Sequence, residues 1–350
     1  MGVNMTKIDL KSLNYTEMKQ FIGEFDKAFR GQQIYEWLHV KLVTSFDEMT
    51  NISKGLRDKL KEQCELNNLT LIDKLESSGG ETTKYLFGLK DGNVLESVLM
   101  KYKHGNSVCI SSQVGCKMGC VFCASTINGF DRNLTPSEML SQIYRIQELS
   151  GERVSNVVVM GTGEPLDNLD NLLKFIEILT DEHGLNISQR NITVSTCGLV
   201  DKIKKLADEK LQITLALSLH APNDEVRKEL MPVANRYKIN EVIEACEYYY
   251  RKTGRRITFE YSMVEGVNDS SEHALELCRR IKGLNCHVNL IPVNPIKERD
   301  FKQSKAKNIQ NFKNILEKNR INVTIRREMG TDINAACGQL RKSYMDESSI

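Results

Sequence analysis

The chain has 350 residues, of which 40% are hydrophobic and 27% charged, as in ordinary globular proteins of about two domains. Its 48 basic and 46 acidic residues give a formal net charge of +2, so the total charge indicates no general attraction to nucleic acid or membrane. With 6 prolines, 22 glycines and 10 cysteines, the composition excludes a collagen-like chain, a proline-rich disordered chain and a disulfide scaffold.

Residues 1–65 predict a small helical N-terminal accessory domain. Apolar side chains recur at three- and four-residue spacing in three runs, which begin at Leu13, Ile34 and Ile52. The first fifteen residues contain no apolar segment typical of a secretory signal, and no stretch reaches the ~18 apolar residues of a membrane helix. We therefore expect a cytoplasmic protein with no membrane partner, whose clustered cysteines serve metal binding or catalysis.

Residues 66–106 predict a β-rich linker. Strand-like runs lie near 68–75, 82–89 and 93–102, and Asp91-Gly92 is a strong hairpin turn between the last two.

From residue 107 to about 342, strand-like and helix-like runs alternate. Such alternation predicts right-handed βαβ units around a parallel sheet or barrel, and residues 343–350 are left as a C-terminal tail. The predicted strands are 108–114, 156–161, 191–196, 212–219, 257–263, 287–292 and 322–326. The predicted helices lie near 136–149, 168–182, 199–208, 239–252, 270–282 and 305–318.

Three cysteines, Cys116, Cys120 and Cys123, lie within eight residues after the first of these strands. A zinc site usually has four ligands, commonly in two separated pairs, and a thioredoxin-like redox pair needs only Cys120 and Cys123. The C-x3-C-x2-C spacing also suits three irons of a [4Fe–4S] cluster whose fourth iron stays free to bind S-adenosylmethionine (SAM). Zinc, redox and cluster chemistry all remain open on spacing alone.

This motif resembles the signature of the radical SAM superfamily, in which the cluster cleaves SAM to a 5′-deoxyadenosyl radical. Phe122 stands where that family has an aromatic residue near the adenine of SAM. Met160-Gly161-Thr162-Gly163-Glu164-Pro165 resembles the family's Gly-Gly-Glu-Pro type motif, in which Glu164 would accept from the SAM ammonium. The resemblance implies a partial (βα)6 TIM-like barrel with one [4Fe–4S] cluster.

Polar residues stand at the predicted carboxyl ends of later strands, the rim that carries the active site in a βα barrel. They are Ser195, Ser218, His220 and Asn294. Each one taken alone could equally be an ordinary polar residue at the end of a strand, and His220 could be a buried core histidine.

Residues from about 30 to 342 resemble one class, the RlmN/Cfr class of radical SAM RNA adenosine methyltransferases. The matching runs begin at Cys109, Gly129, Met160, Ser218, Asn289 and Asp332, and the last of them contains Cys337. By this resemblance Gly163, Glu164, Ser195, Ser218, Leu219, His220 and Asn294 would contact SAM. The same resemblance implies that the helical domain of residues 1–65 could contact RNA.

The resemblance implies that two SAM molecules are used per turnover. One methylates Cys337, and the radical from the second takes a hydrogen from that methyl group, which then adds to the adenine ring. Cys109 resolves the covalent RNA adduct and forms a disulfide with Cys337, while Glu96 is a candidate proton acceptor. Adenine C2 is electrophilic, so direct methyl transfer from SAM would fail.

Within the class, Val114 and the run from Gly31 to Trp37 resemble the enzymes that methylate C2 rather than the C8-methylating resistance enzymes. The expected substrates are an adenosine at the peptidyl transferase centre of 23S rRNA and the adenosine 3′ to the anticodon of tRNA.

The alternatives are C8 methylation, another radical SAM reaction that uses the cluster alone, or a non-catalytic iron–sulfur or zinc protein that binds RNA. A flavodoxin- or ferredoxin-like electron donor and a monomeric state are also expected. Two departures from the family pattern are Cys197, where serine is expected, and the run from Ala124 to Ile127.

The small net charge conceals an uneven distribution of charged residues along the chain. Residues 297–345 contain twelve Lys and Arg against five Asp and Glu. Such a cluster alone is most simply a solvated helix face. Because Arg326-Arg327 and Arg341-Lys342 flank Cys337 in sequence, however, they are candidate phosphate contacts.

Overall fold

The computed structural model describes residues 7–296 and 299–340, so the predicted tail 343–350 and the pair Arg341-Lys342 lie outside the described residues. The helical N-terminal region forms as predicted. Asn14 caps the first helix of this region. The Asn14 side chain accepts from the backbone N–H of Glu17, and the Glu17 carboxylate accepts from the backbone N–H of Asn14. The elements are β1 Ile8–Asp9, α1 Tyr15–Gly23, α2 Phe29–His39, α3 Lys54–Gln63 and β2 Cys64–Glu65, and β1 pairs with β2 in parallel.

Three antiparallel strands follow the helical region. They are β3 Thr70–Glu76, β4 Thr82–Gly88 and β5 Val94–Tyr102. The turn predicted at Asp91-Gly92 joins the last two strands, since Gly92 has a φ of 84°. Strand β4 is buried along almost its whole length because the chain near residues 330–335 packs across it.

The remainder alternates strands with helices. The elements are β6 Gly105–Ile110, β7 Gln113–Gly115, β8 Phe130–Asn133, α4 Pro136–Ser150, β9 Val154–Val159, α5 Leu169–Thr180, β10 Ile192–Thr196, α6 Val200–Asp208, β11 Thr214–Ser218, α7 Asp224–Leu230, α8 Ile239–Thr253, β12 Ile257–Met263, α9 Ser271–Arg280, β13 Cys286–Pro292, α10 Ala306–Lys318 and β14 Asn322–Ile325.

One ten-stranded sheet runs through the molecule in the order β14-β13-β12-β11-β10-β9-β6-β5-β4-β3. The strands from β14 to β6 pair in parallel, whereas β6, β5, β4 and β3 pair antiparallel. Six strand–helix units, from β6 with α4 to β13 with α10, precede β14, so the predicted partial (βα)6 barrel is confirmed. The three strands of the predicted linker continue this barrel sheet.

Within the barrel, the sequence prediction missed a separate hairpin and a short helix. The strand expected over 108–114 is two strands, because Ser112 leaves the sheet and donates from its backbone to the carbonyl of Thr162 at 2.9 Å. The second, β7, forms a separate hairpin with β8. Helix α7 was also missed, since seven residues are too few to show a helical period.

The helical region packs on the outer helices of the barrel. Lys174 of α5 forms an ion pair with Glu17 at 2.6 Å, and the Nδ1 atom of His39 lies 2.7 Å from the Tyr144 hydroxyl of α4. None of the helices in the described part of the chain is long and apolar enough to cross a bilayer.

Candidate active site

Two adjoining cavities open where the parallel strands end. The first, about 610 Å³ with its open mouth, is lined by the three clustered cysteines and the ends of β9, β10 and β11. The second, about 630 Å³, is lined by Cys337 and the ends of β12 and β13. They form one continuous cleft, because both are bordered by Phe122, Cys123, Met160, Ser195, Ser218 and His220.

The three clustered cysteines lie on the loop between β7 and β8. The backbone N–H of Cys116 donates to the carbonyl of Gly129 at 2.8 Å, which closes the loop at its base. Burial raises the pKa of Cys116 to about 12, and it also raises the pKa values of Cys120 and Cys123, with their neighbouring thiols adding to the effect. These thiols therefore hold their protons at neutral pH until a cation displaces them.

The three thiols fit an iron–sulfur cluster. Cys120 interacts electrostatically with both Cys116 and Cys123, so the three sulfur atoms are near neighbours. Within residues 7–296 and 299–340, no group of three or more His, Cys, Asp or Glu converges as one metal ion would need. A cubane cluster binds each thiolate at a different iron, so its ligands need not converge on one point.

Glu164 and Gly163 follow β9 and contact residues near the ends of β10 and β7. One oxygen of the buried Glu164 carboxylate accepts from the backbone of Cys197 at 2.8 Å, and the other accepts from Leu166 at 3.1 Å. Gly163 has a φ of 109°, and a Cβ there would lie 2.6 Å from the Cβ of Gln113. Both residues thus shape the cleft wall, while their predicted contacts with SAM stay predictions.

The other predicted SAM contacts divide into two groups. The hydroxyls of Ser195 and Ser218 lie 3.4 Å apart and line both cavities. The amide of Asn294 lines the second cavity and donates to the carbonyl of Cys337 at 3.0 Å. The Leu219 side chain, in contrast, is fully buried and borders neither cavity, so only its backbone is available for a SAM contact.

His220 lies between Phe122 and β12. Its ring meets the ring of Phe122 edge-on, with 4.9 Å between centroids, and its Nδ1 accepts from the backbone of Ser262 at 2.9 Å. Burial lowers the pKa of His220 to about 3. The imidazole is therefore neutral and carries its proton on Nε2.

The fold brings Cys109 and Cys337 together from distant parts of the sequence. Cys109, on β6, packs in an apolar cluster with Ala335 and Leu340, which lie two residues before and three residues after Cys337. Burial raises the pKa of Cys109 to about 12, and the neighbouring Cys337 thiol adds to this shift. Cys337 is half-buried at the wall of the second cavity.

The disulfide expected from the resemblance is absent, since all ten cysteines are free in the described residues. The resemblance assigns that bond to the end of a reaction, and free thiols are the form from which a reaction begins.

Glu96 lies outside the cleft. It is 2% exposed on β5 and forms an ion pair with Lys84 at 3.0 Å. It borders a separate small cavity that also contains Ser125, and Ser125 is in turn part of the first cavity wall. The structure therefore places Glu96 behind the cysteine loop, and its role as a proton acceptor stays a prediction.

Arg326 and Glu260 are cleft residues whose position the sequence reasoning missed. Arg326, expected to contact phosphate, borders the second cavity together with Cys337. Its pKa is raised, with the Cys337 thiol as the largest cause, and its Nη1 lies 3.6 Å from Glu260. Burial raises the pKa of Glu260, and Arg326 opposes that shift. The sequence signal for Glu260 was that it is the one charged residue in the predicted strand 257–263.

Two sequence profiles of known protein families match this chain. The sequence profile described as Radical SAM superfamily matches residues 110–278, and the profile described as Ribosomal RNA large subunit methyltransferase N-terminal domain matches residues 8–66.

Two curated relatives are both described as "Probable dual-specificity RNA methyltransferase RlmN". That of Lachnoclostridium phytofermentans is 66% identical over 98% of this chain and 97% of its own. That of Lachnospira eligens is 65% identical over 97% of each chain. A crystal structure of a radical SAM methyltransferase from Sphaerobacter thermophilus superimposes with a TM-score of 0.92, at 43% identity, covering 96% of this chain and 100% of that one. The chain therefore belongs to the RlmN family of RNA methyltransferases within the radical SAM superfamily.

Proposed function

We propose that this protein methylates C2 of an adenosine at the peptidyl transferase centre of 23S rRNA and of the adenosine 3′ to the anticodon in tRNA. Family membership confirms the prediction of a radical SAM RNA methyltransferase and implies a [4Fe–4S] cluster and SAM. The observation that carries the finer proposal is the adjacency of Cys109 and Cys337 at the wall of a cleft that continues to the cysteine loop.

In this proposal Cys116, Cys120 and Cys123 hold the cluster, and Glu164, Ser195, Ser218, His220 and Asn294 line the place of SAM. Once bound there, the cluster and SAM would together supply a carbon radical. Two SAM molecules are used per turnover, and a flavodoxin- or ferredoxin-like protein supplies the electron. The protein acts as a monomer in the cytoplasm.

Cys337 carries the methyl group in this scheme. Its half-buried thiol faces the cleft, and the guanidinium of Arg326 lies beside it. In the scheme the Cys337 sulfur atom is the nucleophile that accepts a methyl group from SAM. Cys109, whose pKa burial raises to about 12, is a protonated thiol at neutral pH and becomes a nucleophile only when a base removes its proton.

The regiochemistry is tested by mass spectrometry of nucleosides from ribosomal RNA and transfer RNA after anaerobic reaction. We expect 2-methyladenosine. A product that carries its methyl group on C8 would contradict C2 methylation and support the C8 alternative. A protein that binds RNA and cluster but yields neither product with a strong chemical reductant would be the non-catalytic alternative.

The roles of the two cysteines are tested separately. We expect a Cys109→Ala variant to accumulate protein crosslinked to RNA, because the adduct on Cys337 cannot be released. Cys278→Ala, on the outer helix α9, is the matched control and should turn over normally. Normal turnover by Cys109→Ala, or no 14 Da mass increase on Cys337 in the active enzyme, contradicts the scheme.

A further inference from the structure

Arg227 is a fully buried cation without a carboxylate partner. Its side chain has no exposed surface, and its hydrogen bonds reach two backbone carbonyls, those of Cys197 at 2.6 Å and Tyr237 at 3.5 Å. Its Nε atom has no hydrogen-bond partner among the described residues. Burying an unpaired charge costs several kcal/mol, so such a cation normally has an anion beside it.

The three cysteines of the loop would supply this negative charge, because binding a cluster converts each of them to a thiolate. Burial lowers the pKa of Arg227, and the strongest effects in the opposite direction come from Cys197 and then Cys120. Helix α7 also touches the cysteine loop directly, because the carbonyl of Leu230 accepts from the backbone of Val121 at 3.1 Å. Arg227 borders neither of the two cavities, so it approaches the cysteine loop from inside the protein.

We propose that Arg227 is the buried counter-cation of the cluster held by Cys116, Cys120 and Cys123, and that its charge raises the reduction potential of that cluster. The inference rests on cluster binding by these three cysteines, as the proposed function does. It adds a residue that belongs to no part of the cysteine motif and touches neither SAM nor RNA in the scheme above.

The electrostatic sign follows from the electron count. Three thiolates leave the oxidised cluster site with net negative charge, and reduction adds one electron from the flavodoxin- or ferredoxin-like donor without forming or breaking a bond. A fixed positive charge stabilises the reduced site more than the oxidised one. In a buried, low-dielectric position this difference is larger than it would be in water.

A purely structural role for Arg227 is the competing explanation. The hydrogen bond to Cys197 holds the end of β10, and its loss could disturb the cleft without any electrostatic effect. Charge and hydrogen bonding are separated by comparing Arg227→Lys, which keeps the charge, with Arg227→Met, which keeps the length and removes it.

The experiment is a redox titration of the anaerobically reconstituted full chain, followed by electron paramagnetic resonance of the reduced cluster. Iron and sulfide content is measured first. At any fixed potential, we expect the ratio of reduced to oxidised cluster in Arg227→Met to fall at least tenfold, which is about 59 mV for one electron. Arg227→Lys should retain most of the wild-type potential.

Two further variants make the result decisive. Arg255→Met is the matched control, because Arg255 also has a buried Nε without a partner but bonds Thr214, at the far end of β11. Arg227→Gln removes the charge but can still donate to the carbonyl of Cys197, so it should lower the potential as Arg227→Met does. It decides the question if Arg227→Met does not fold.

An unchanged potential in a cluster-containing Arg227→Met protein overturns the inference, as does an equal downward shift in Arg227→Lys. For Arg227→Gln, an unchanged potential has the same meaning. If the wild-type chain binds no cluster after reconstitution, the proposed function fails at an earlier step, which the iron analysis reveals on its own.

Discussion

Lys84 and Glu96 form an ion pair inside the protein, with side chains 10% and 2% exposed. The ammonium of Lys84 also donates to the carbonyl of Asn334 at 3.3 Å, which ties β4 to the segment that carries Cys337. The pair therefore supports the cleft from behind rather than lining it.

We expect Lys84→Met to lower the free energy of unfolding by about 3 kcal/mol, because it removes the cation from a buried carboxylate. Urea unfolding measures the change. The control is Lys90→Met, whose partner Glu65 lies 3.0 Å away on the surface and whose loss should cost less than about 1 kcal/mol. Equal losses in the two variants would contradict the buried pair's importance.

For individual residues, the sequence identified the reactive cysteines but not the side chains around them. The spacing of Cys116, Cys120 and Cys123 is local, so it is visible in the chain. Cys109 and Cys337 were joined only by family resemblance, and Lys84 and Arg227 gave no signal, because burial of a charge depends on neighbours that are distant in sequence.

Among the elements, the β7–β8 hairpin determines whether the cysteine loop closes. Gly115, at the end of β7, has a φ of 74°, and a Cβ there would lie 2.0 Å from the carbonyl oxygen of Gly129. That same carbonyl accepts from the backbone of Cys116.

We expect Gly115→Ala to lose most of its bound iron while the barrel stays folded, because the added methyl group forces the base of the loop apart. Iron analysis and circular dichroism measure the two properties. Gly129→Ala is the control: its φ is 70°, but nothing lies within 4 Å of its Cβ, so it should bear only about 1–2 kcal/mol of backbone strain. Full iron content in Gly115→Ala would show that the loop closes in another way.

Helix α2 ends at His39, which is fully buried against α4. Burial lowers the pKa of His39 to about 3, below the value of ~6.5 in an unfolded chain. The unfolded state therefore binds the extra proton between these values. The stability contributed by the neutral histidine is complete above pH ~6.5 and falls as the pH decreases toward 3.

We expect His39→Gln to reduce the loss of stability on acidification by up to about 1.4 kcal/mol per pH unit below pH ~6.5. Urea unfolding across that range measures the slope. Some slope remains, because burial also lowers the pKa of His220. The exposed His104→Gln serves as the control, and an unchanged slope in His39→Gln would rule out linkage at this helix contact.

For the whole molecule, the basic C-terminal segment borders the cleft. Arg327, whose side chain is 70% exposed, borders a further cavity together with Cys337. The pair Arg341-Lys342 lies outside the described residues. RNA binding should therefore weaken as salt rises, because phosphate contacts release bound counterions.

We expect Arg327→Gln to lower the slope of log affinity against log salt by about 0.7–0.9, the contribution of one phosphate contact. Filter binding to ribosomal RNA over a salt series measures the slope. The control is Lys252→Gln at the end of α8, on the opposite edge of the barrel. If both variants keep the wild-type slope, the basic segment is not the docking surface.

The sequence by itself determined most of the barrel's strands and helices and the identity of the three clustered cysteines. Hydrophobic periodicity and short-range spacing are local properties of the chain, and the nearly complete resemblance to one family assigned the chemistry. Only the tertiary structure decided which residues meet: Cys109 beside the segment of Cys337, Lys84 beside Glu96, and helix α7 beside the cysteine loop. The physical reason is that strand pairing and helix packing join segments that are separated in the chain, so periodicity and spacing carry no signal of these contacts.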